Sequence, residues 1–323
     1  MERAEVAVIG AGVAGLACAR RLAEAGVSVL IYDKGRGPGG RLSGRRTPIG
    51  RFDHGAQFMT IRDEGFAAAC TAWRAAGLIA EWDGDHRRHG APLGHDPWYV
   101  GTPKMSAFIE HEATALGATF GLRLATPTRE AHEKGRWHLR TETGESAWAA
   151  DWVVFAVPAE QADALLPPSS PLAADARGAR SAPTWTLMAA WDDAPAPFDS
   201  EQPQDGPLAF VSRQASRPGA APGHRWVAHA TSEWTRAHLE ADAATVADAL
   251  SDALAALIGT GERPVHAGAH RWRYAQVEET AEAPFGLDEA NGLATCGDWH
   301  VAPRIESAWV SGDGLGSALA DRL

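Results

Sequence analysis

Cysteine is scarce in this chain: Cys18, Cys70 and Cys296 are all there are. They form no Cys-x-x-C pair and no framework, which excludes a disulfide-stapled fold and fits a reducing compartment. Long apolar runs are missing as well, so neither a membrane span nor a membrane partner is expected. The first strand is expected to begin near residue 4, so no leader is expected, and a cytoplasmic location is. Positive charge is not in excess. The formal net charge is −11, which disfavours non-specific binding to nucleic acid. Histidine is plentiful at 13 residues, yet no His-Glu-x-x-His or comparable cluster occurs. His86 and His89 fall in a charged loop, and no metal is expected. There is no internal repeat. No Ser/His/Asp constellation stands out, and no general base.

Glycine is present in an informative pattern. Residues 5–9 predict a short buried strand, 16–25 a helix and 27–32 a second strand. Between the first strand and the helix stand Gly10, Gly12 and Gly15, at G-x-G-x-x-G spacing. Asp33 closes the second strand, at the distance expected of a ribose-binding acid. Gly10 permits the tight turn, Gly12 lets a pyrophosphate approach the backbone, and Gly15 lets the helix pack on the sheet. Free N–H groups at the helix start attract phosphate. The unit therefore predicts a bound dinucleotide, and by itself it does not separate FAD from NAD. A second glycine run follows at 35–40, flanked by Arg36 and Arg41, which suit a phosphate. Far along the chain, a short strand at 293–296 leads into Gly297, Asp298 and Trp299, and then into a helix rich in small residues. That turn sets a carboxylate beside free N–H groups, able to meet a polyol and a charged ring.

The pieces VIGAGVAGL, GPGGRLSGRR, FDHGAQFMT, VVFAVPAEQADALL, HRWRYA and CGDW span nearly the whole sequence. In them the chain resembles the flavin amine oxidase superfamily and, within it, the bacterial renalase-like oxidoreductases. The resemblance implies FAD as cofactor, and with no Cys or His in an attachment motif non-covalent binding is expected. Gly10, Gly12 and Gly15 would face its pyrophosphate, together with Ala14, and Asp33 would meet the adenosine ribose, with Lys34 and Arg36 beside it. Gly40, Arg41 and Leu42 would line the phosphate and ribityl region, and Gly297 and Asp298 would hold the ribityl chain. The backbone at Ile305, between Arg304 and Ala308, would meet the flavin carbonyl side. His54, Gly55, Ala56, Gln57 and Phe58 would lie near the ring. One stretch departs from the family run Gly-Gly-Arg-Val-Glu-Gly-Ala: this chain has Ala302, Pro303 and Ser307 at its glycine positions.

The implied architecture is α/β. A Rossmann-like FAD-binding domain would comprise 1–65, 102–160 and 288–323. A mixed α+β substrate domain, inserted as in amine oxidases and p-hydroxybenzoate hydroxylase, would comprise 66–101 and 161–287. A length of 323 residues agrees with two domains, and the apolar share of 45% with a globular protein. Helices are expected at 67–76, 105–116 and 241–258. Strands are expected at 136–141, 146–150, 152–157, 184–191, 225–230 and 265–274, with long connections over 167–222.

The family chemistry implied is oxidation of 2- or 6-dihydro isomers of NAD(P)H, with oxygen as the second substrate and hydrogen peroxide as product. A dihydropyridine that loses hydride becomes aromatic, so no general base is needed. On the substrate side the candidates are Gln57, for a carboxamide or the flavin edge, with Trp234, His270, Trp272 and Tyr274. Trp272 and Tyr274 alternate on one predicted strand and share a face that suits a nicotinamide ring. Arg271 and Arg273 point the other way. Lys104 precedes a helix and reads as a surface residue, not as a lysine at the flavin. The alternatives are an amine oxidase, or a desaturase of another small molecule, and a non-catalytic flavin-binding redox module.

Overall fold

The computed structural model describes residues 2–94, 96–129, 136–144 and 147–323. Its first sheet is built on the strand Glu2–Ile9, where Val6, Ala7 and Val8 are fully buried. Burial on both faces is what a central parallel strand requires. This strand pairs in parallel with Val29–Asp33 on one side and Ala147–Phe155 on the other. The helices of the described residues are α1 (Val13–Glu24), α2 (Glu64–Ala75), α3 (Ala107–Ala115), α4 (Ala159–Leu165), α5 (Pro171–Gly178), α6 (Ser232–Ala237), α7 (Ala243–Ile258) and α8 (Ile305–Ala320). None of them is long and apolar enough to cross a membrane.

The strands expected at 146–150 and 152–157 are one strand, because Glu2–Ile9 goes on pairing past Asp151. The end of the turn expected at 142–145, and the start of the next strand at residue 146, lie outside the described residues. The far edge of this long strand serves two partners. Trp137–Arg140 runs antiparallel to its first half, and Leu293–Thr295 runs parallel to its last three residues. Ile9, Phe155 and Thr295 therefore end level, and the turns after them meet at one end of the sheet. That end, beyond the carboxyl ends of parallel strands, is where open α/β sheets bind ligands.

α8 lies along α1 at backbone contact. A Cβ on Gly312 would stand 2.0 Å from the carbonyl oxygen of Ala14. α2 belongs to the same core, not to the inserted part, so the expected boundary after residue 65 is displaced. Its Phe66, Cys70 and Trp73 recur at helical spacing, with ring contacts from Phe66 to Trp309 and from Trp73 to Phe108.

The second sheet runs in the order His266–Glu279, Arg180–Trp191, His224–Ala230, Leu208–Arg213, Ser200–Gln202, His86–Arg88, Ala91–Pro92. All its pairs are antiparallel except Ser200–Gln202 with His86–Arg88. Besides Arg180–Trp191, expected over 184–191, two more of its strands and α5 arise inside 167–222, where the sequence otherwise predicts connections. The proline and alanine content there hides alternation over such short segments. α7 covers one face. The Asp242 side chain caps it by accepting N–H bonds from Ala244 and Thr245, and its Val246, Leu250, Leu254 and Ile258 pack on Trp185, Leu187, Trp226 and Ala228. Period-two alternation then turns Thr184, Thr186, Val227 and His229 to the opposite face. That face closes over the ligand end of the first sheet.

Candidate functional site

A cavity of about 1930 Å³ lies between the glycine turns and the inner face of the second sheet. Sites for one drug-sized molecule occupy roughly 300–1,000 Å³, so this one has room for a dinucleotide and a second molecule.

At the glycine end, Gly10 adopts φ +112° and donates its N–H to the Tyr32 carbonyl at 2.7 Å. A Cβ on Gly15 would stand 2.0 Å from the Gly10 oxygen, so Gly15 works by packing and lies behind the wall. Gly12 has nothing within 4 Å of its missing side chain and opens on the cavity, as does Ala14. α1 starts at Gly12 with no side-chain cap, which leaves its first N–H groups free for an anion. Asp33 ties the two glycine loops together: Oδ2 accepts from Ala11 N–H at 2.8 Å and Oδ1 from Gly35 N–H at 2.6 Å. It still lines the cavity, and a carboxylate has lone pairs left for ribose hydroxyls. Lys34 lines the wall and donates to Gln161 Oε1 at 2.5 Å. Arg36 does not join them; it is exposed and turned to solvent.

Arg41 and Asp298, expected on separate parts of a cofactor, bind each other. Nη1 donates to Oδ2 at 2.8 Å and Nη2 to Oδ1 at 2.6 Å, and Nη1 also reaches the Ala275 carbonyl at 3.2 Å. Two opposite charges brought side by side in a part-buried wall neutralise one another. Both residues still line the cavity with Gly40, Leu42 and Gly297, so they clamp segments more than 250 residues apart, positions 41 and 298. Arg304, Ile305 and Ala308 line it from the start of α8, which also lacks a side-chain cap. Glu306 accepts the N–H groups of Arg62 and Asp63 at 2.5 and 2.7 Å and staples α8 to the start of α2. Of the departures from the family run, Pro303 faces the cavity and Ser307 is buried in α8.

At the sheet end, Gly55, Ala56, Gln57 and Phe58 form the floor. Phe58 stacks on Trp98 with centroids 3.7 Å apart. Gln57 lines the cavity, but its amide is used up. Nε2 donates to the Asp53 and Gly55 carbonyls, while Oε1 accepts from Ser212 at 2.6 Å and from the buried Arg217 at 2.5 Å. The expected bond from Gln57 to a substrate carboxamide has no free atom to make it. Trp272 and Tyr274 both line the cavity. Trp272 Nε1 donates to the His54 carbonyl at 3.1 Å. His54 and His270 do not line it; they pack behind Trp272, with ring centroids 5.1 and 4.4 Å from it. Burial pushes His54 down to about 3 and His270 down to about 4, so both are neutral. Trp234 does not line the cavity, although Thr231 and Ser232 at the start of its helix do. It sits on α6, a helix on the covered side of the sheet, and stacks on His238 at 4.0 Å. Arg271 and Arg273, expected to point away, both pair with Glu240 yet also line the cavity. Lys104 pairs with Glu110 and does not reach the cavity.

Among the lining residues that escape a sequence reading are Trp98, Thr186, Phe210 and His229. Their only sequence signal is alternation, with Thr186 set between Trp185 and Leu187, and it does not say which face meets a ligand. No group of three or more metal-ligating side chains occurs among the described residues.

A family model described as an NAD(P)-binding Rossmann-like domain matches residues 8–69. A carotenoid phi-ring synthase of Streptomyces griseus is 54% identical over 127 residues, which is 36% of this chain. The match spans only 24% of that protein's length. Over whole chains, wild-type putrescine oxidase bound to putrescine superposes with a TM-score of 0.76 at 12% identity, covering 99% of both chains. Cyclohexylamine oxidase from Brevibacterium oxydans IH-35A gives 0.76 at 13% identity, again covering 99% of both. The fold is that of the amine oxidase-type flavoproteins. At such low identity the likeness extends to the fold alone.

Proposed function

We propose that the chain is an FAD-dependent oxidase that takes hydride from 2- or 6-dihydro isomers of NAD(P)H and returns NAD(P)+. The residues fit FAD. The open position at Gly12, the uncapped start of α1 and the carboxylate of Asp33 suit a pyrophosphate and its ribose. Cationic side chains outnumber acidic ones among the described lining residues, in a chain whose net charge is −11. No cysteine lines the cavity among the described residues, which favours non-covalent binding. Bound FAD would supply the hydride acceptor and pass two electrons to oxygen, giving hydrogen peroxide.

The observation that carries the substrate reading is the sheet face over Gly55–Phe58. It offers Trp272, Tyr274 and Phe210, a neutral His229 and no acidic side chain among the described residues. A dihydropyridine needs no more than this, because hydride loss yields a pyridinium without proton abstraction. Trp272 and Tyr274 hold the ring by stacking and keep water from it. An alkylammonium would need an acid to hold it or a base to neutralise it. The amine-oxidase reading is favoured only by the shared fold and by the same aromatic pair.

Anaerobic addition of single donors to the purified protein tests this. Bleaching of the flavin by a dihydro isomer, and by no amine, is the expected result. Bleaching by amines and by no isomer overturns the proposal. A flavin that no donor reduces points to the redox module instead.

A further inference from the structure

Most of the cationic side chains on the cavity wall are matched by acids. Arg41 pairs with Asp298, Arg62 with Asp96, and Arg271 and Arg273 with Glu240. Arg123 stands 3.7 Å from Glu142, and Arg304 4.0 Å from Glu306. Lys34 lies at the glycine end, next to Asp33 and bonded to Gln161. Arg88 differs from all of these. It has no acidic partner among the described residues, and its Nε donates to a neutral amide, Oε1 of Gln202, at 2.9 Å. Both Arg88 and Gln202 line the cavity, and Arg88 is exposed at its rim.

The surroundings leave that charge in place. Asp96 lines the same rim, and Arg62 holds its Oδ2 at 2.9 Å. Glu201, beside Gln202 in the chain, is buried, accepts the Gly90 N–H at 3.3 Å and does not line the cavity. The bond from Nε fixes the plane of the Arg88 guanidinium, and no bond among the described residues takes its two terminal nitrogens. A planar fork with free N–H groups is the protein's best match for a phosphate.

Strand register says how far this cation stands from the aromatic floor. Arg88 is level with Gln202 on the neighbouring strand. The register of Ser200–Gln202 on Leu208–Arg213, continued by one residue, sets Gln202 opposite Phe210. Neighbouring strands lie about 4.8 Å apart, so the Arg88 backbone is about 10 Å from that of Phe210, along one row of the inner face. Phe210 packs on Phe58 and Trp98, with centroids 5.7 and 6.1 Å away. In a pyridine dinucleotide one ribose separates the ring from the diphosphate, a span that this row accommodates. An alkylamine has no anion to offer at its far end.

We propose that Arg88, oriented by Gln202, recognises the diphosphate of the dinucleotide substrate at the rim of the cavity. This rests on the oxidase reading above and names the residue that selects a whole dinucleotide over its ring alone.

The test uses the purified flavoprotein and its Arg88→Gln and Arg88→Lys variants. NAD+, NADP+ and nicotinamide riboside, which lacks phosphate, are titrated in and followed by the change in flavin absorption. Arg88→Gln is expected to purify yellow, to bind NAD+ and NADP+ about tenfold more weakly and to bind the riboside as the wild type does. Arg88→Lys should recover part of the loss. NAD+ affinity should fall with added salt less steeply in Arg88→Gln than in the wild type, and this comparison decides where the riboside binds too weakly to read. Equal loss for NAD+ and the riboside, or wild-type affinity for NAD+, overturns the assignment. Loss confined to NADP+ puts the contact on the 2′-phosphate and overturns the diphosphate. An Arg88→Gln protein without flavin colour shows that the cation serves the cofactor, and overturns it too. A wild type that binds no NAD+ and that no dihydro isomer bleaches overturns the oxidase reading and this assignment together. Bleaching in the wild type, with NAD+ affinity and salt dependence unchanged in Arg88→Gln, overturns this assignment alone.

Discussion

The two walls of the cavity are built on opposite plans. On the glycine side, side chains satisfy one another and the backbone faces the ligand. Asp33 bridges the N–H groups of Ala11 and Gly35, Arg41 closes on Asp298, and α1 and α8 begin uncapped. On the sheet side the ladder consumes the backbone, and it is side chains, among them Trp272, Tyr274 and Phe210, that face the cavity. A wall of backbone suits a ligand common to many enzymes, because every chain can offer N–H groups. A wall of side chains can be changed one residue at a time, and there selectivity can differ between proteins of one fold.

The largest expected effect separates two glycines of one motif. Gly15→Val forces a Cβ to within 2.0 Å of the Gly10 oxygen, and loss of the cooperative thermal transition is expected. Gly12→Val, with open space around it, should melt like the wild type yet purify without flavin colour. A yellow Gly12→Val protein would show that the backbone wall is not the cofactor wall. Next comes Asp298→Asn, which strands the Arg41 charge. Breaking a fully buried pair costs about 3–5 kcal/mol, and the partial exposure of Arg41 lowers this to roughly 2 kcal/mol, measurable by urea unfolding.

A pH effect of moderate size should arise mostly on the sheet side. Burial holds His54 down to about 3, and His229 and His270 down to about 4; His300, bonded to the Ala283 carbonyl, is also down to about 4. An unfolded histidine titrates near 6.5. Between those limits the unfolded chain binds more protons, so stability is complete above about 6.5 and declines as pH falls toward 4. The Tm should therefore be lower at pH 5 than at pH 7, and His54→Phe should flatten the slope. A Tm that does not change over that interval would contradict the neutral cluster behind Trp272. The smallest effect is expected from Trp234→Ala. It removes a stack on His238 that does not line the cavity, so turnover and KM should stay at wild-type values while stability falls by about 1 kcal/mol.

Much of the glycine wall is legible in the amino-acid sequence, because each part of it is local. A turn that needs positive φ, a close helix contact and an acid closing a strand all occur within 24 residues, from Gly10 to Asp33. The partnership of Arg41 with Asp298 is not legible there, since opposite charges in a sequence do not announce which will meet. Trp272 and Tyr274 can be assigned to one face by alternation alone. Alternation does not show that Gln57 is saturated by Ser212 and Arg217, or that His54 and His270 fall one layer behind the wall.

The sequence by itself determined the dinucleotide unit and the face shared by Trp272 and Tyr274, since both follow from dihedral preference and short-range period. Tertiary structure alone decided which polar groups find partners inside the protein. Hydrogen-bond satisfaction is a property of neighbours in space. The neighbours of Thr186 and His229 are set by strand register, and those of Gln57 by contacts reaching across more than 150 residues, to Ser212 and Arg217.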